Sequence, residues 1–166
     1  MRKQLQQLGK DERHTFTAIF DRTGFKKGYT DYEPTLCLEH VKLNGEEVTN
    51  HLWFNYGKSF AKLGELEQGD LIQFDARVSF YQKGYYLGPK STDCKLERPT
   101  KVKLLTEKDH RNPMPTDDKL RLVGYSMKQN EDFLKSNGRP WDKWYVSHYE
   151  VWAEKQDAES KELVNS

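Results

Sequence analysis

The chain has 166 residues, of which 35% are hydrophobic and 13% aromatic, and its 27 lysines and arginines almost balance its 26 aspartates and glutamates. An aromatic content this high is not typical of a disordered chain, and no apolar run approaches the roughly 20 residues that cross a membrane. The net charge of +1 argues against a protein that coats nucleic acid by bulk charge, so any such site must be a local patch.

The beginning of the chain carries charge but no apolar segment of the kind found in signal peptides. The two cysteines, Cys37 and Cys94, are too few and too far apart for a disulfide framework or a metal-binding motif. We therefore expect a soluble, cytoplasmic protein with no membrane partner.

The apolar pattern changes at one segment, residues 107–116, which contains two prolines and is typical of a linker. Before this segment the apolar residues alternate with polar ones, and after it they recur at helical spacing. The sequence thus predicts a β-rich domain at 12–106, a linker at 107–116 and a helical appendage at 117–158.

Three strands are predicted in the first third of the chain, over residues 14–20, 35–43 and 48–56, because apolar side chains alternate there. The Asn44-Gly45 pair between the second and third strands favours a tight hairpin, since a type I′ turn needs positive φ at both central positions.

A short helix and two further strands are predicted next. The helix falls within 57–66, where Gly64 is expected to end it. The clearest alternation in the chain, over 72–80, predicts a half-buried strand of an antiparallel sheet. The last strand falls within 93–105, and Pro99 predicts a bulge or a sheet edge there, because proline cannot donate to the ladder.

The predicted order is β-β-β-α-β-β, and residues 14–105 resemble an OB-fold, the five-stranded Greek-key barrel that often binds oligonucleotides. The phrase at 69–78, which begins Gly69-Asp70, is similar to a strand common in such barrels. The resemblance covers about 90 of the 166 residues. It implies an α+β protein, mainly β, with an OB-like Greek-key barrel followed by two C-terminal helices. The whole chain also resembles small proteins from phages and mobile elements of Gram-positive bacteria.

The resemblance implies a ligand face around strands two and three and two loops, at residues 22–32 and 82–90. Both loops interleave aromatic, basic and glycine residues, and this combination stacks bases and follows phosphates. Trp53 is expected on the outward face of strand three, beside Arg77. The candidate nucleic-acid-binding residues are Phe25, Lys26, Lys27, Tyr29, Trp53, Arg77, Lys83, Tyr85, Tyr86 and Lys90.

Two alternatives to this interpretation stay open. The loop aromatics of a small barrel often fold back to plug its ends, and Lys-Gly and Gly-Tyr pairs are ordinary turn chemistry. Trp53 has a structural alternative too, because the helical appendage carries an aromatic stripe that could cover it.

Two helices are predicted after the linker. Thr116 is expected to cap the first helix, Gly124 to weaken its middle, and the glycine and proline of 137–140 to end it. The aromatic stripe of the second helix has three interpretations, of which packing onto the barrel is the first and a partner-binding surface the second. The third is a helix that binds duplex DNA, and it is the least favoured because the helix is poor in cations. The candidate partner-binding residues are Trp141, Trp144, Tyr145, His148 and Trp152.

Motifs for catalysis are missing from the sequence. There is no phosphate loop, dinucleotide fingerprint or nucleophile elbow, and the five histidines lack zinc-ligand spacing. We therefore expect a non-enzymatic binding protein with no metal or cofactor. The leading hypothesis for its partner is single-stranded DNA or RNA. The alternative is a phage or mobile-element interaction module that inhibits or modulates a host or defence protein.

Overall fold

The computed structural model describes residues 8, 12–83 and 91–165, with side chains left undescribed at 80–83, 91–94 and 162–165. Antiparallel strands in one sheet are accompanied by helices, which confirms the predicted α+β class. The strands are β1 (Arg13–Lys27), β2 (Tyr32–Leu43), β3 (Glu46–Asn55), β4 (Leu71–Lys83) and β5 (Ser91–Leu104). The helices are α1 (Lys58–Ala61), α2 (Lys119–Gln129), α3 (Glu131–Ser136) and α4 (Lys143–Asn165). None of the helices described is both long and apolar enough to cross a membrane.

The sheet has the order β3-β2-β1-β4-β5, so β1 lies at its centre and β3 and β5 lie at its edges. Strands β1 and β4 are antiparallel, and Phe16 lies opposite Phe74. These two rings are fully buried and stacked 5.9 Å apart. Along β4, Ile72, Ala76 and Val78 are buried with Phe74, which confirms the alternation predicted for this strand.

Strands β2 and β3 are joined by the hairpin turn that the sequence predicts. Asn44 has φ of +54° and Gly45 has φ of +83°. Both values are positive, as a type I′ turn requires, and asparagine and glycine tolerate this region best.

Strand β5 is irregular at the proline that interrupts it. Arg77 on β4 lies opposite Glu97, whereas Asp75, two residues earlier, lies opposite Thr100. Strand β5 therefore carries one extra residue between these pairs, at the position of Pro99, which confirms the predicted bulge.

The described chain forms two compact units, and each is interleaved in sequence. The sheet unit comprises 12–22, 37–54, 66–83 and 91–109. The helical unit comprises 23–36, 55–65 and 110–165, so the boundary between the units falls within β1 and β2. That residues 12–106 form a domain of their own stays a prediction.

The helical unit has its own core, in which the buried residues are Val123, Met127, Leu134, Tyr145 and Val146. Part of the segment predicted as a linker belongs to this unit, and Met114 and Pro115 are buried there. Their burial explains how a proline-rich segment without regular structure can still be held in place.

The C-terminal part differs from the prediction in its helix ends and in its number of helices. Asp118 caps α2 by accepting a hydrogen bond of 2.9 Å from the Leu120 N–H, so the expectation of a Thr116 cap was wrong. Three helices follow β5 among the described residues rather than two, because the helical path is broken at Asn130, with φ of −110° and ψ of 20°. The predicted stop is confirmed, since α3 ends at Ser136 and Gly138 has φ of +62°.

Gly124 lies where α2 meets α4, and its role differs from the one expected. A Cβ atom at this position would lie only 2.0 Å from the Tyr145 carbonyl oxygen and 2.7 Å from the Tyr145 carbonyl carbon. The two helix backbones therefore approach too closely for any larger residue. Gly124 permits the helix packing of this unit rather than merely weakening α2.

Candidate nucleic-acid interface

Trp53 presents an exposed ring on the sheet unit. Its neighbours on β3, Leu52 and Phe54, are buried, and strand alternation turns the indole to the opposite face. The side chain is 43% exposed. An exposed indole beside a cation is the arrangement on which unpaired bases stack.

The cation beside Trp53 is Arg22 rather than the expected Arg77. The Arg22 guanidinium carbon lies 5.4 Å from the centre of the Trp53 ring. Arg77 donates from Nε to the Glu97 carboxylate at 3.0 Å, so its charge is already paired. The one sign of Arg22 in the sequence is its position at the start of a basic, aromatic segment, but the strand pairing that brings it to Trp53 is not visible there.

The Arg22 guanidinium is held at one of its nitrogen atoms. Its Nη1 donates to the Asp21 carboxylate at 2.5 Å, and the Gln68 side-chain amide donates to the other oxygen of that carboxylate at 2.9 Å. Asp21 is mostly buried, whereas Arg22 is exposed. These two hydrogen bonds, from Gln68 to Asp21 and from Arg22 to Asp21, therefore limit the positions that the guanidinium can take.

The turn that contains Gln68 is hydrogen-bonded to the backbone of β1. The Gly69 N–H donates to the Phe20 carbonyl at 2.9 Å, and the Phe20 N–H donates to the Asp70 carbonyl at 2.8 Å. Within the turn, the Glu67 N–H donates to the Asp70 carboxylate at 2.8 Å. Backbone bonds to the residue before Asp21 thus give Gln68 a defined approach to that carboxylate.

Cys37 lies on β2 close to this group and is buried. Burial raises the pKa of the Cys37 thiol to about 11, and the nearby Arg22 charge offsets only part of this effect. The thiol is therefore neutral near pH 7 and unsuited to nucleophilic chemistry.

A second exposed aromatic residue, Tyr29, lies at the hairpin tip of the helical unit. The Gly28 N–H donates to the Asp31 carbonyl at 2.9 Å, and a Cβ at position 28 would lie 2.4 Å from the same oxygen. Glycine is thus required for this tight turn, which leaves the Tyr29 side chain 103% exposed. Strand β1 continues to Lys27, so the predicted loop is shortened to this turn.

Lys26 and Lys27 precede the turn, and both are exposed. Within the described part of the chain, neither lysine takes part in an ion pair. Their charges are therefore available to an anionic ligand.

Phe25 lies in a different environment from Tyr29. Its ring meets the Tyr32 ring edge to face, with centroids 5.2 Å apart, and it packs against the core of the helical unit. Phe25 is thus a packing residue in this structure. This outcome is closer to the alternative in which loop aromatics fold back onto the protein than to a binding role.

The second predicted loop lies largely beyond the described residues. Lys83 ends β4, but its side chain is not described, and Tyr85, Tyr86 and Lys90 fall outside the described residues. The binding roles predicted for these four residues stay predictions.

The aromatic stripe predicted for the last helix is divided by the structure. Trp141 precedes α4, and its Nε1 donates to the Met127 carbonyl at 3.1 Å. Tyr145 is buried, and its hydroxyl accepts the Tyr32 N–H at 3.2 Å. These two residues hold the helical unit together.

Other members of the stripe are more exposed. Trp144 is 50% exposed, and its ring centroid lies 4.3 Å from that of His148. Trp152 is half-buried, 6.0 Å from the Tyr149 ring. Trp144 is thus the exposed member of the predicted partner-binding set, whereas His148 and Trp152 are half-buried.

A carboxylate that sequence reasoning missed, Glu65, joins distant segments of the helical unit. Its Oε2 accepts the Tyr125 hydroxyl at 2.7 Å, and its Oε1 accepts the Asn112 amide at 3.0 Å. Burial, followed by the Glu65 hydrogen bond, raises the pKa of the Tyr125 hydroxyl well above its usual range. Because both carboxylate oxygens are occupied, we interpret this cluster as a structural clasp.

Neither metal chemistry nor a known relative supplies a further assignment. In the part of the chain that the structure describes, no three histidine, cysteine, aspartate or glutamate side chains are grouped so as to hold a metal ion. No protein-family model, no curated protein and no solved structure matches this chain. The functional argument therefore rests on the exposed rings and cations described above.

Proposed function

We propose that this is a non-enzymatic, cytoplasmic protein that binds single-stranded nucleic acid through an OB-like barrel. The observation that carries the proposal is the exposed Trp53 ring on the outward face of β3, with the Arg22 guanidinium 5.4 Å from its centre. Ring and guanidinium planes stack on any base, which suits a ligand whose bases are unpaired.

The strand order supports the OB-like part of the proposal. Strands β4, β1, β2 and β3 lie side by side in the spatial order of a Greek key, because the fourth strand returns beside the first. Strand β5 extends the sheet beyond β4, so β3 and β5 are its edges. Pairing of these two edges would close the sheet into a barrel, and the β2–β3 face is where OB-folds bind oligonucleotides.

The cations of the helical unit suit the phosphates of the same kind of ligand. Lys26 and Lys27 are exposed and free of ion pairs among the described residues, and they precede Tyr29 in the chain, whose ring is exposed. Each phosphate neutralised on a single strand contributes about −0.7 to the slope of log K against log salt. With few such cations we expect a shallow slope, in keeping with the net charge of +1.

The proposal is tested by titrating fluorescently labelled single strands, DNA and RNA of the same sequence, at two salt concentrations. Trp53→Ala should weaken binding by about tenfold or more, because stacking contributes about 1–3 kcal/mol per base. Trp144→Ala is the matched control, since it removes an equally exposed indole from the helical unit. Absence of binding by the parent protein at low salt would refute the proposal.

A second candidate, a phage or mobile-element interaction module acting on a host or defence protein, is supported by one surface of α4. Trp144 and Val151 lie seven residues apart on this helix and are 50% and 53% exposed, so they share a face. Here a partner should be captured from nuclease-treated lysate by the parent and by Trp53→Ala, but not by Trp144→Ala. The same pair of variants therefore separates the two candidates.

A further inference from the structure

We infer that Arg22 and Trp53 are the two walls of a slot that holds one unpaired base, and that Asp21 and Gln68 are positioning residues for this slot. The inference rests on the proposed function and adds to it a specific mode of recognition. It assigns Arg22 to stacking rather than to phosphate binding.

The hydrogen bonds of Arg22 favour this assignment. A guanidinium binds phosphate through the N–H groups of its edge, whereas it stacks through its two faces. The Nη1 of Arg22 already donates to the Asp21 carboxylate at 2.5 Å, and this ion pair offsets the Arg22 charge. The central guanidinium carbon lies over the Trp53 ring, where a planar group can stack.

The positioning residues keep the guanidinium at the ring. Asp21 is mostly buried and is held from its other side by Gln68 at 2.9 Å. Gln68 in turn lies on a turn bonded to the backbone of β1 through Gly69 and Phe20. The rotamers of this long side chain are thereby limited to those that keep the Asp21 contact.

The spacing of the two walls indicates how a base enters. Stacked aromatic planes lie roughly 3.4 Å apart, so a base between two walls needs about 7 Å. The present distance is 5.4 Å from the guanidinium carbon to the ring centre. An outward movement of at least about 1.5 Å is therefore needed, and the exposed Arg22 side chain can make it while it keeps its Asp21 contact.

The test compares Arg22→Lys with Arg22→Ala. Lysine keeps the positive charge but lacks the planar face, so both variants should bind labelled single strands about tenfold more weakly than the parent. The salt slope should be unchanged in both, because Arg22 neutralises no phosphate. Lys26→Ala is the control for a phosphate contact, and it should reduce the slope by about 0.7.

The positioning role has its own test in Asp21→Ala. Without the carboxylate the guanidinium is a free cation, so binding should weaken while the salt slope becomes steeper. A merely structural role for Asp21 would weaken binding without changing the slope, and thermal unfolding of each variant identifies any loss of fold.

The possible failures are distinguishable. If the parent binds, Trp53→Ala weakens binding and Arg22→Lys binds like the parent, the slot is refuted and the proposed function stands. An Asp21→Ala slope equal to that of the parent refutes the positioning role. If the parent binds no single strand at low salt, the proposed function fails and the slot fails with it.

Discussion

Replacement of Gly124 by alanine tests the helix packing of the helical unit. Helix propensity predicts that the free energy of unfolding rises in this variant, whereas packing predicts that it falls. In an isolated helix, glycine to alanine stabilises by about 1 kcal/mol. Here the new Cβ would lie 2.0 Å from the Tyr145 carbonyl oxygen and 3.2 Å from the Tyr149 Cβ.

The cost follows from which atoms have to move. Non-bonded carbon atoms are best separated by about 3.5–4.0 Å, so the Tyr145 backbone would have to retreat by more than about 1 Å. Overpacking of a core costs typically 1–3 kcal/mol, and the upper end applies because the obstacle is backbone rather than a flexible side chain. Subtracting the gain in propensity leaves a net loss of about 2 kcal/mol.

Thermal unfolding followed by circular dichroism measures this loss. For a chain of this size, about 2 kcal/mol corresponds to a fall of roughly 4–8 °C in Tm. The matched control is Gly57→Ala, because nothing lies within 4 Å of a Cβ at that position. Its Tm should stay within about 2 °C of the parent. A rise in Tm for Gly124→Ala would show that α2 and α4 do not meet at this residue.

The remaining predictions concern titrating groups. Burial, with the Glu65 charge, raises the pKa of Tyr56, Tyr125 and Tyr149, so their stabilisation is complete below the unfolded value near pH 10 and is lost as pH rises above it. Above pH 10 the unfolding free energy should therefore fall by up to about 1.4 kcal/mol per pH unit for each tyrosine. Tyrosinate absorbance should show that these three hydroxyls ionise only as the protein unfolds. Ionisation of all nine tyrosines near pH 10 in the folded protein would contradict this prediction. Burial also raises the pKa of Cys37 to about 11. In a Cys94→Ser variant, the Cys37 thiol should therefore react with a thiol reagent at pH 8 far more slowly in the native protein than in denaturant. Equal rates would contradict the burial of Cys37.

The sheet could be anticipated from the sequence where local chemistry decides it. The Asn44-Gly45 turn, the bulge at Pro99 and the buried face of β4 each follow from backbone preferences or from side-chain alternation within a few residues. The stop at Gly138 belongs to the same class.

What the sequence could not provide was the pairing of segments far apart in the chain. Arg22 was overlooked because its meeting with Trp53 depends on strand order, and Gly124 was misjudged because only its contact with Tyr145 explains it. The Glu65 clasp was invisible for the same reason, since its partners Asn112 and Tyr125 come from segments distant in sequence. Local propensity is a weak guide wherever tertiary contacts override it.

The interleaving of the two units has a consequence for how the chain folds during synthesis. Every described segment of the sheet unit has left the ribosome once residue 109 has emerged, whereas the helical unit still lacks residues 110–165. Segments 23–36 and 55–65 must then wait for their partners, and Tyr32 lacks the helical core against which it packs. A nascent chain stalled near residue 109 thus holds every described segment of the sheet unit but only part of the helical unit, and neither unit can be transferred to another protein as one continuous stretch.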